Sequence, residues 1–280
     1  MLTATRRRLL RPAALLTVVA TAAVAVVVVA VLAAIGSHSS GKGATSPAQA
    51  GGPSLLQRVS HVDSAVFRAV GNGGVQNHLY ALHGAPPLAG AQGKPQVLYV
   101  GADSCPYCAA QRWSLVVALS RFGSFNDLTL TASSPDDVFP NTATFSFAGA
   151  RYTSPYLDFA GIETSDRSGR PLQSPSPAQQ ALLDAYDAPP YVPAAATGGI
   201  PWIDLGGRYA MLSSGFTPQV LAGLDWNGIA GKLTDPGSIV TKAIVGNADD
   251  ITAGLCRVTG MQPADVCTTA PVATLVAQLP

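Results

Sequence analysis

The stretch Gln96-Val-Leu-Tyr-Val-Gly-Ala-Asp-Ser-Cys-Pro-Tyr-Cys108 joins a short apolar run to two cysteines that are separated by two residues. The apolar run is typical of a buried strand, and Pro106 suits the first position of a helix because its missing N–H is not needed there. The two cysteines are therefore predicted to lie where a strand ends and a helix begins. The unpaired N–H groups and the dipole at a helix N-terminus stabilise a thiolate. The spacing thus predicts a redox-active dithiol.

Three interpretations of Cys105 and Cys108 remain open at this point: dithiol–disulfide exchange, a fixed structural disulfide, or half of a zinc site. In the exchange reaction Cys105 would attack the substrate and Cys108 would resolve the mixed disulfide. A zinc site would need Cys256 and Cys267, but ten residues separate them, and zinc half-sites have closer spacing. We therefore expect no metal and no cofactor.

Cys256 and Cys267 form the second local pair of cysteines. Gly260 and Pro263 lie between them and are expected to break a helix. A disulfide here would join two C-terminal helices and stabilise the fold by roughly 3 kcal/mol in the chain-entropy description; a second redox pair is the alternative. An even number of cysteines in local pairs fits an oxidising compartment.

The N-terminal segment predicts an exported protein. Residues 13–35 are apolar and uncharged, and about 20 such residues span a bilayer as a helix. Four arginines lie among residues 1–12 and predict a cytoplasmic basic tail. Residues 36–53 are rich in small residues and predict a flexible linker, which leaves residues 54–280 as the domain outside. The protein is thus expected at the cell membrane with a single span, and a cleaved signal peptide ending near Ala34-Ile35-Gly36 is the alternative.

Charge argues against a nucleic-acid partner. Only 12% of the residues are charged and the formal net charge is +1. Because four arginines belong to the N-terminal tail, the exported part carries about −3 and shows no basic patch.

Further elements follow from local patterns along the chain. Ser54 is expected to cap a helix that extends to Val70, and an insertion is expected over residues 164–193. The remaining expectations are a strand at 128–132, a hairpin of 144–147 with 152–162 around Gly149-Ala150, a short helix at 178–186, a hairpin at Gly206-Gly207, a helix opening at Thr217, and helices within 239–280.

The order of these elements resembles the thioredoxin fold. Cys-Pro-Tyr-Cys is the tetrad seen in glutaredoxins, and Gly-Ile-Pro201 precedes a later strand. The resemblance implies an α/β fold with a mixed central sheet flanked by helices, an insertion before the cis-proline strand, and extra C-terminal helices. It also implies that the Ile200–Pro201 bond is cis and faces the two sulfurs. Ser104 stands where thioredoxins usually have tryptophan, and residues 97–100 contain no acid.

More specifically, residues 100–123 are similar to a membrane-anchored bacterial and archaeal family known as domain of unknown function 929. The segments 144–147, 152–156 and 199–201 and the region of Cys256 and Cys267 resemble it as well. The likeness covers roughly residues 54–270.

These observations together predict a membrane-tethered, extracytoplasmic protein thiol–disulfide oxidoreductase. Its partners would be exported protein thiols and disulfides and a redox partner, with Tyr107, Ile200 and Pro201 contacting the substrate. The alternative is a non-catalytic thioredoxin-fold binding or assembly module whose cysteines are only structural. Arg112 follows Cys108 by four residues; we expect a surface group there, with thiolate stabilisation as the alternative.

Overall fold

A central β-sheet positions the Cys-Pro-Tyr-Cys segment in the computed structural model of this chain, which describes residues 54–76 and 79–280. The predicted basic tail (1–12), membrane span (13–35) and linker (36–53) lie outside the described residues. Within residues 54–76 and 79–280, none of the helices combines the length and the apolarity that crossing a bilayer requires.

The described residues form eight α-helices and nine strands. In chain order they are α1 (Leu55–Ser60), α2 (Ser64–Val70), β1 (Leu79–Ala81), β2 (Gln96–Gly101), α3 (Pro106–Leu119), β3 (Ser124–Asn126), β4 (Thr129–Ala132), β5 (Ala143–Ser146), β6 (Arg151–Thr153), β7 (Asp158–Glu163), α4 (Pro177–Tyr186), β8 (Trp202–Leu205), β9 (Tyr209–Leu212), α5 (Trp226–Lys232), α6 (Ile239–Val258), α7 (Ala264–Cys267) and α8 (Val272–Gln278). Two short 3₁₀ helices cover Ala194–Ala196 and Pro218–Leu221.

The main sheet has five strands in the order β1-β9-β8-β2-β7. β7 runs parallel to β2, so that Glu163 lies opposite Gly101, whereas β8 runs antiparallel to β2 on its other side. β8 and β9 form an antiparallel hairpin whose turn residues Gly206 and Gly207 have φ of 67° and 70°. Positive φ at both turn positions suits glycine and matches the twist of the strands. The fold is thus mixed α/β with a mixed sheet and flanking helices.

The two faces of this sheet pack into different apolar clusters, as the alternation of side chains along a strand requires. Tyr99 and Ile203 point to the larger cluster, which includes α3 and α6. Leu98 and Trp202 point to a smaller cluster on the opposite face, against which side chains of α4 pack. The insertion between β7 and β8 therefore covers one face of the sheet.

α3 is enclosed by the rest of the structure. Tyr107 is its one residue that is not buried, in agreement with the apolar character of the sequence all round this helix. Cys105 is its N-cap residue and Pro106 its first helical residue.

Three local expectations were wrong. Residues 144–147 and 152–162 do not form a hairpin: β5 pairs with β4, β6 pairs with β3, and β7 joins β2. The local alternation of apolar and polar residues could not reveal that β7 pairs in parallel with the buried strand β2. The paired residues lie 62 positions apart in the chain, as in Val97–Phe159.

The expected helix from Ser54 to Val70 is divided into α1 and α2. The helix is interrupted at Asp63, because the Asp63 side chain caps α2 by accepting a hydrogen bond from the Ala65 N–H. The expected helix at Thr217 begins as the short 3₁₀ helix Pro218–Leu221, and α5 starts only at Trp226.

Candidate dithiol site

Cys105 and Cys108 lie at the junction of β2 and α3. Cys105 caps the helix with extended backbone geometry, and its Sγ accepts a hydrogen bond from the Cys108 N–H at 3.2 Å. Both are free thiols; Cys105 is partly exposed and Cys108 is buried. The local sequence produces this arrangement because the strand ends at Gly101 and Pro106 starts the helix.

The surroundings of the two sulfurs shift their pKa values in opposite directions. A hydrogen bond from the Cys108 side chain lowers the pKa of Cys105, against the effect of burial, and the Cys108 N–H and the charge of Arg112 lower it further. Burial raises the pKa of Cys108 well above its usual value, and the hydrogen bond to Cys105 adds to this. Cys105 therefore has the larger thiolate fraction of the two sulfurs near neutral pH.

The loop before β8 brings Ile200 to Cys105. The Cys105 Sγ lies 3.8 Å from the Ile200 carbonyl oxygen, which accepts from it, and the Ile200–Pro201 peptide bond is cis. Ile200 is exposed and Pro201 is buried. Tyr107 is exposed beside Cys108 in the motif and stacks edge-on against Phe139, with 5.9 Å between ring centroids. The structure therefore places Ile200 against the outer sulfur and Tyr107 on the exposed side of the motif.

Arg112 is completely buried, which corrects the expectation of a surface group. Its Nε and Nη2 donate to the two carboxylate oxygens of Glu163 at 2.9 and 2.6 Å, and Nη2 also donates to the Ala102 carbonyl at 2.6 Å. A second acid, Asp103, lies 3.5 Å away. Burial alone would lower the pKa of Arg112, but the charge of Glu163 outweighs it and holds this pKa well above its usual value.

The pairing of Arg112 with Glu163 arises from tertiary structure. Glu163 is the last residue of β7, and the parallel pairing with β2 places it directly opposite Gly101, just before the cysteine motif. Nothing in the local sequence of Glu163 points to Arg112, 51 residues away, so this pairing could not be predicted from sequence. The one local signal was the four-residue spacing from Cys108 to Arg112, which places both on one helix face.

Tyr99 completes the buried surroundings of the site. A Cβ added to Gly101 would lie 2.2 Å from the Tyr99 hydroxyl oxygen and 3.0 Å from the Cys108 Sγ, so the hydroxyl and the sulfur border the same small volume. Neither the Tyr99 hydroxyl nor the Arg112 Nη1 has a hydrogen-bond partner among the described residues. Burial raises the pKa of Tyr99 well above its usual value, so the hydroxyl stays neutral beside Cys108 while Arg112 supplies positive charge.

Cys256 and Cys267 are bonded to each other, with an S–S distance of 1.99 Å and a Cα–Cα distance of 5.5 Å. The bridge joins the end of α6 to the end of α7. These sulfurs therefore cannot complete a zinc site with Cys105 and Cys108. In the part of the chain that the structure describes, no group of three or more His, Cys, Asp or Glu side chains is arranged to hold a metal ion.

No curated protein and no solved structure matches this chain. Residues 87–257 match the family described as Domain of unknown function (DUF929), and this range includes the cysteine motif, Arg112, Glu163 and the Ile200–Pro201 segment. Since the match covers more than half of the 280 residues, the chain belongs to the DUF929 family.

Proposed function

We propose that this protein is a membrane-tethered, extracytoplasmic protein thiol–disulfide oxidoreductase with a thioredoxin-like fold. The observation that carries the proposal is the pair of free thiols at the start of α3, where the partly exposed Cys105 has a lowered pKa and the buried Cys108 a raised one. A purely structural pair of cysteines does not require one sulfur to be partly open and prepared as a thiolate.

The topology around the motif supports the fold assignment. β2, α3 and β7 form a parallel β-α-β unit, β8 and β9 follow as an antiparallel hairpin on the other side of β2, and α6 packs on the same face as α3. This is the order of elements on which the resemblance to thioredoxin-like proteins rests. α4 is the insertion before β8, and α7 and α8 are the additional C-terminal helices.

The reaction proceeds by two exchanges of sulfur–sulfur bonds. The Cys105 thiolate attacks one sulfur of a substrate disulfide, forms a mixed disulfide with it and expels the other substrate sulfur as a thiolate. Cys108 then loses its proton and attacks the Cys105 Sγ, which expels the first substrate sulfur and leaves a Cys105–Cys108 disulfide. The substrate gains two electrons and the protein loses two. A dithiol partner protein must return them, and with an oxidising partner the same steps run in reverse.

The location rests on residues 13–35 and the arginines before them. An apolar segment of this length anchors the protein in the membrane with its N-terminus in the cytoplasm. The test is to determine the N-terminus of the mature protein. A mature protein that retains residues 1–35 supports the anchor, whereas one that starts near Ser37 identifies a cleaved signal peptide.

The activity is tested by trapping. In a Cys108→Ser variant the second exchange is blocked, so Cys105 should retain exported proteins as mixed disulfides that a reductant releases. A Cys105→Ser variant is the matched control and should retain none. Absence of trapped proteins, together with a reduction potential below about −300 mV for the Cys105/Cys108 pair, would identify a structural disulfide instead. That result would favour a binding or assembly module.

A further inference from the structure

A cavity of about 450 Å³ lies beside Ile200, on the face of the sheet opposite α3. α4 contributes Gln180, Leu183 and Asp184 to its wall, and the segment that follows α4 contributes Asp187. The floor is formed by Val100 and Trp202 of the sheet, and loop residues 197–200 form the side toward Cys105. The insertion between β7 and β8 therefore creates this cavity.

Two polar groups on the wall have no partner among the described residues. Asp187 is only 7% exposed, yet its Oδ1 accepts no hydrogen bond. The indole Nε1 of Trp202 is completely buried and donates none. A buried donor or acceptor without a partner is costly. The unpartnered oxygen of Asp187, a residue of the cavity wall, thus indicates a guest that donates a hydrogen bond.

The charged side chains that the described residues place on the cavity wall are all acidic. Asp184 and Asp187 both line it, whereas the described part of the chain places no Lys, Arg or His side chain on its wall. Neither carboxylate forms an ion pair with a described residue: the hydrogen bond that Asp184 accepts comes from the neutral Gln180. Burial raises the pKa of Asp187 to about 6, and the Gly198 backbone opposes this only in part. Near neutral pH the carboxylate is therefore mostly ionised and lacks a counter-charge.

The rest of the wall is apolar. Leu183, Val100 and the Trp202 ring fit the methylene stem of a long side chain, and the carboxylates fit its cationic end. A peptide segment that carries a lysine or an arginine matches the apolar wall and the carboxylates at once.

The cavity lies within reach of the reactive sulfur. Ile200 lines it with a side chain that is 38% exposed, and the carbonyl oxygen of the same residue is 3.8 Å from the Cys105 Sγ. An extended peptide advances about 3.3 Å per residue. A substrate cysteine bonded to Cys105 would therefore present its near neighbours to the cavity.

We infer that this cavity binds a lysine or arginine side chain within about three residues of the reactive cysteine of the protein substrate. It would select, among exported proteins, those with a basic residue at that position. The inference rests on the proposed disulfide exchange at Cys105 and adds the substrate class to it.

The test uses the full-length protein and synthetic peptides whose single cysteine is held in a mixed disulfide with uncharged 2-mercaptoethanol. In one set, each peptide carries a single lysine at one of the three positions on either side of the cysteine. The reference peptides carry glutamine at the same position. For at least one position, the lysine peptide should react about tenfold faster, a difference of ~1.4 kcal/mol. Asp187→Asn should abolish this preference, so that lysine and glutamine peptides react at the same rate with the variant.

The control variant is Asp265→Asn, which removes an exposed acid of α7 and should retain the full preference. If Asp187→Asn does not fold, Asp184→Asn replaces it and should reduce the preference. Equal rates with lysine and glutamine peptides, or a preference that survives both substitutions, would overturn the inference and leave the proposed exchange reaction intact.

Peptides in which serine replaces the cysteine separate the two proposals. Titration monitored by nuclear magnetic resonance should show weaker binding of the lysine peptide to Asp187→Asn than to the unaltered protein. If the lysine peptide binds in this Asp187-dependent way but the protein catalyses no disulfide exchange, the proposed function is refuted and the cation-binding site is retained. Equal binding of lysine and glutamine peptides would refute the site.

Discussion

Cys105 and Cys108 are three residues apart, yet their surroundings differ. Cys105 is outside the helix, accepts a backbone hydrogen bond and is partly open to solvent, while Cys108 is inside the first turn and fully buried. Hydrogen bonding and the nearby Arg112 therefore favour the charged form of Cys105, and burial favours the neutral form of Cys108.

The first prediction concerns the reactivity of these thiols. In the reduced protein, Cys105 should react with iodoacetamide faster than Cys108 at every pH between 6 and 8, because it is both more accessible and more ionised. Brief alkylation followed by mass spectrometry measures both rates. Preferential labelling of Cys108 would reverse the roles that we assign to the two sulfurs.

The second prediction concerns Arg112 and Glu163. Arg112→Met alone should lower the free energy of unfolding by about 3–5 kcal/mol, because it leaves the buried carboxylate of Glu163 without its partner. The double variant Arg112→Met/Glu163→Leu should recover much of this loss, since both charges are then absent. Urea denaturation of the single and double variants measures the difference.

The double variant also separates an electrostatic role from a structural one. Arg112 is one of the groups that lower the pKa of Cys105, so this pKa should rise in the double variant even though the fold is retained. The pH dependence of the alkylation rate reports the pKa. An unchanged pKa would mean that the ion pair serves only the packing of β7 against α3.

At the level of elements, α6 is connected to the C-terminal part of the chain by the disulfide between Cys256 and Cys267. α6 is a 20-residue helix that packs against α3, and the bridge closes a short loop between its last turn and α7. Because the loop is closed in the unfolded chain as well, the bridge reduces the entropy that folding must overcome.

The third prediction therefore concerns this bridge. Cys256→Ala/Cys267→Ala should lower the free energy of unfolding by about 3 kcal/mol and leave the reaction rate of Cys105 unchanged. Urea denaturation under non-reducing conditions measures the loss. Asp265→Asn on the exposed surface of α7 is the control: it changes a side chain near the bridge without removing a cross-link, and it should be much less destabilising.

At the level of the whole molecule, stability depends on buried carboxyl groups that form no ion pair with any Lys, Arg or His of residues 54–76 and 79–280. Asp204 and Asp250 are almost completely buried, and burial raises the pKa of each to about 7. Since an unfolded aspartate has a pKa near 3.9, the folded protein binds these protons more tightly than the unfolded chain does. Their contribution to stability is complete below about pH 4 and is lost as the pH rises toward 7.

The fourth prediction follows from this dependence. Asp250 forms no hydrogen bond through either carboxylate oxygen with a described residue, so Asp250→Asn removes a charge and breaks no contact of this kind. The substitution should raise the free energy of unfolding at pH 8 by roughly 1–3 kcal/mol and change it little at pH 4. Urea denaturation at both pH values measures this, and Asp265→Asn on the exposed surface of α7 should show neither effect. A gain of equal size at pH 4 would exclude ionisation as its cause.

Local sequence determined the junction of β2 and α3, the helix cap at Cys105, and the hairpin at Gly206-Gly207. Each of these depends on interactions between residues close together in the chain: an apolar run, a proline at the first helical position, and glycines that accept positive φ. The same reasoning was wrong for residues 144–162, where the partner strands come from other parts of the chain.

Tertiary structure alone decided the surroundings of the two sulfurs. Glu163 reaches Arg112 only because β7 lies parallel to β2, and Ile200 reaches Cys105 only because β8 lies on the other side of β2. The cavity beside Ile200 likewise exists because α4 packs against the face of the sheet that carries Trp202. Burial and charge at a site depend on all the segments that meet there, and contacts between residues tens of positions apart leave no periodic signal in the sequence.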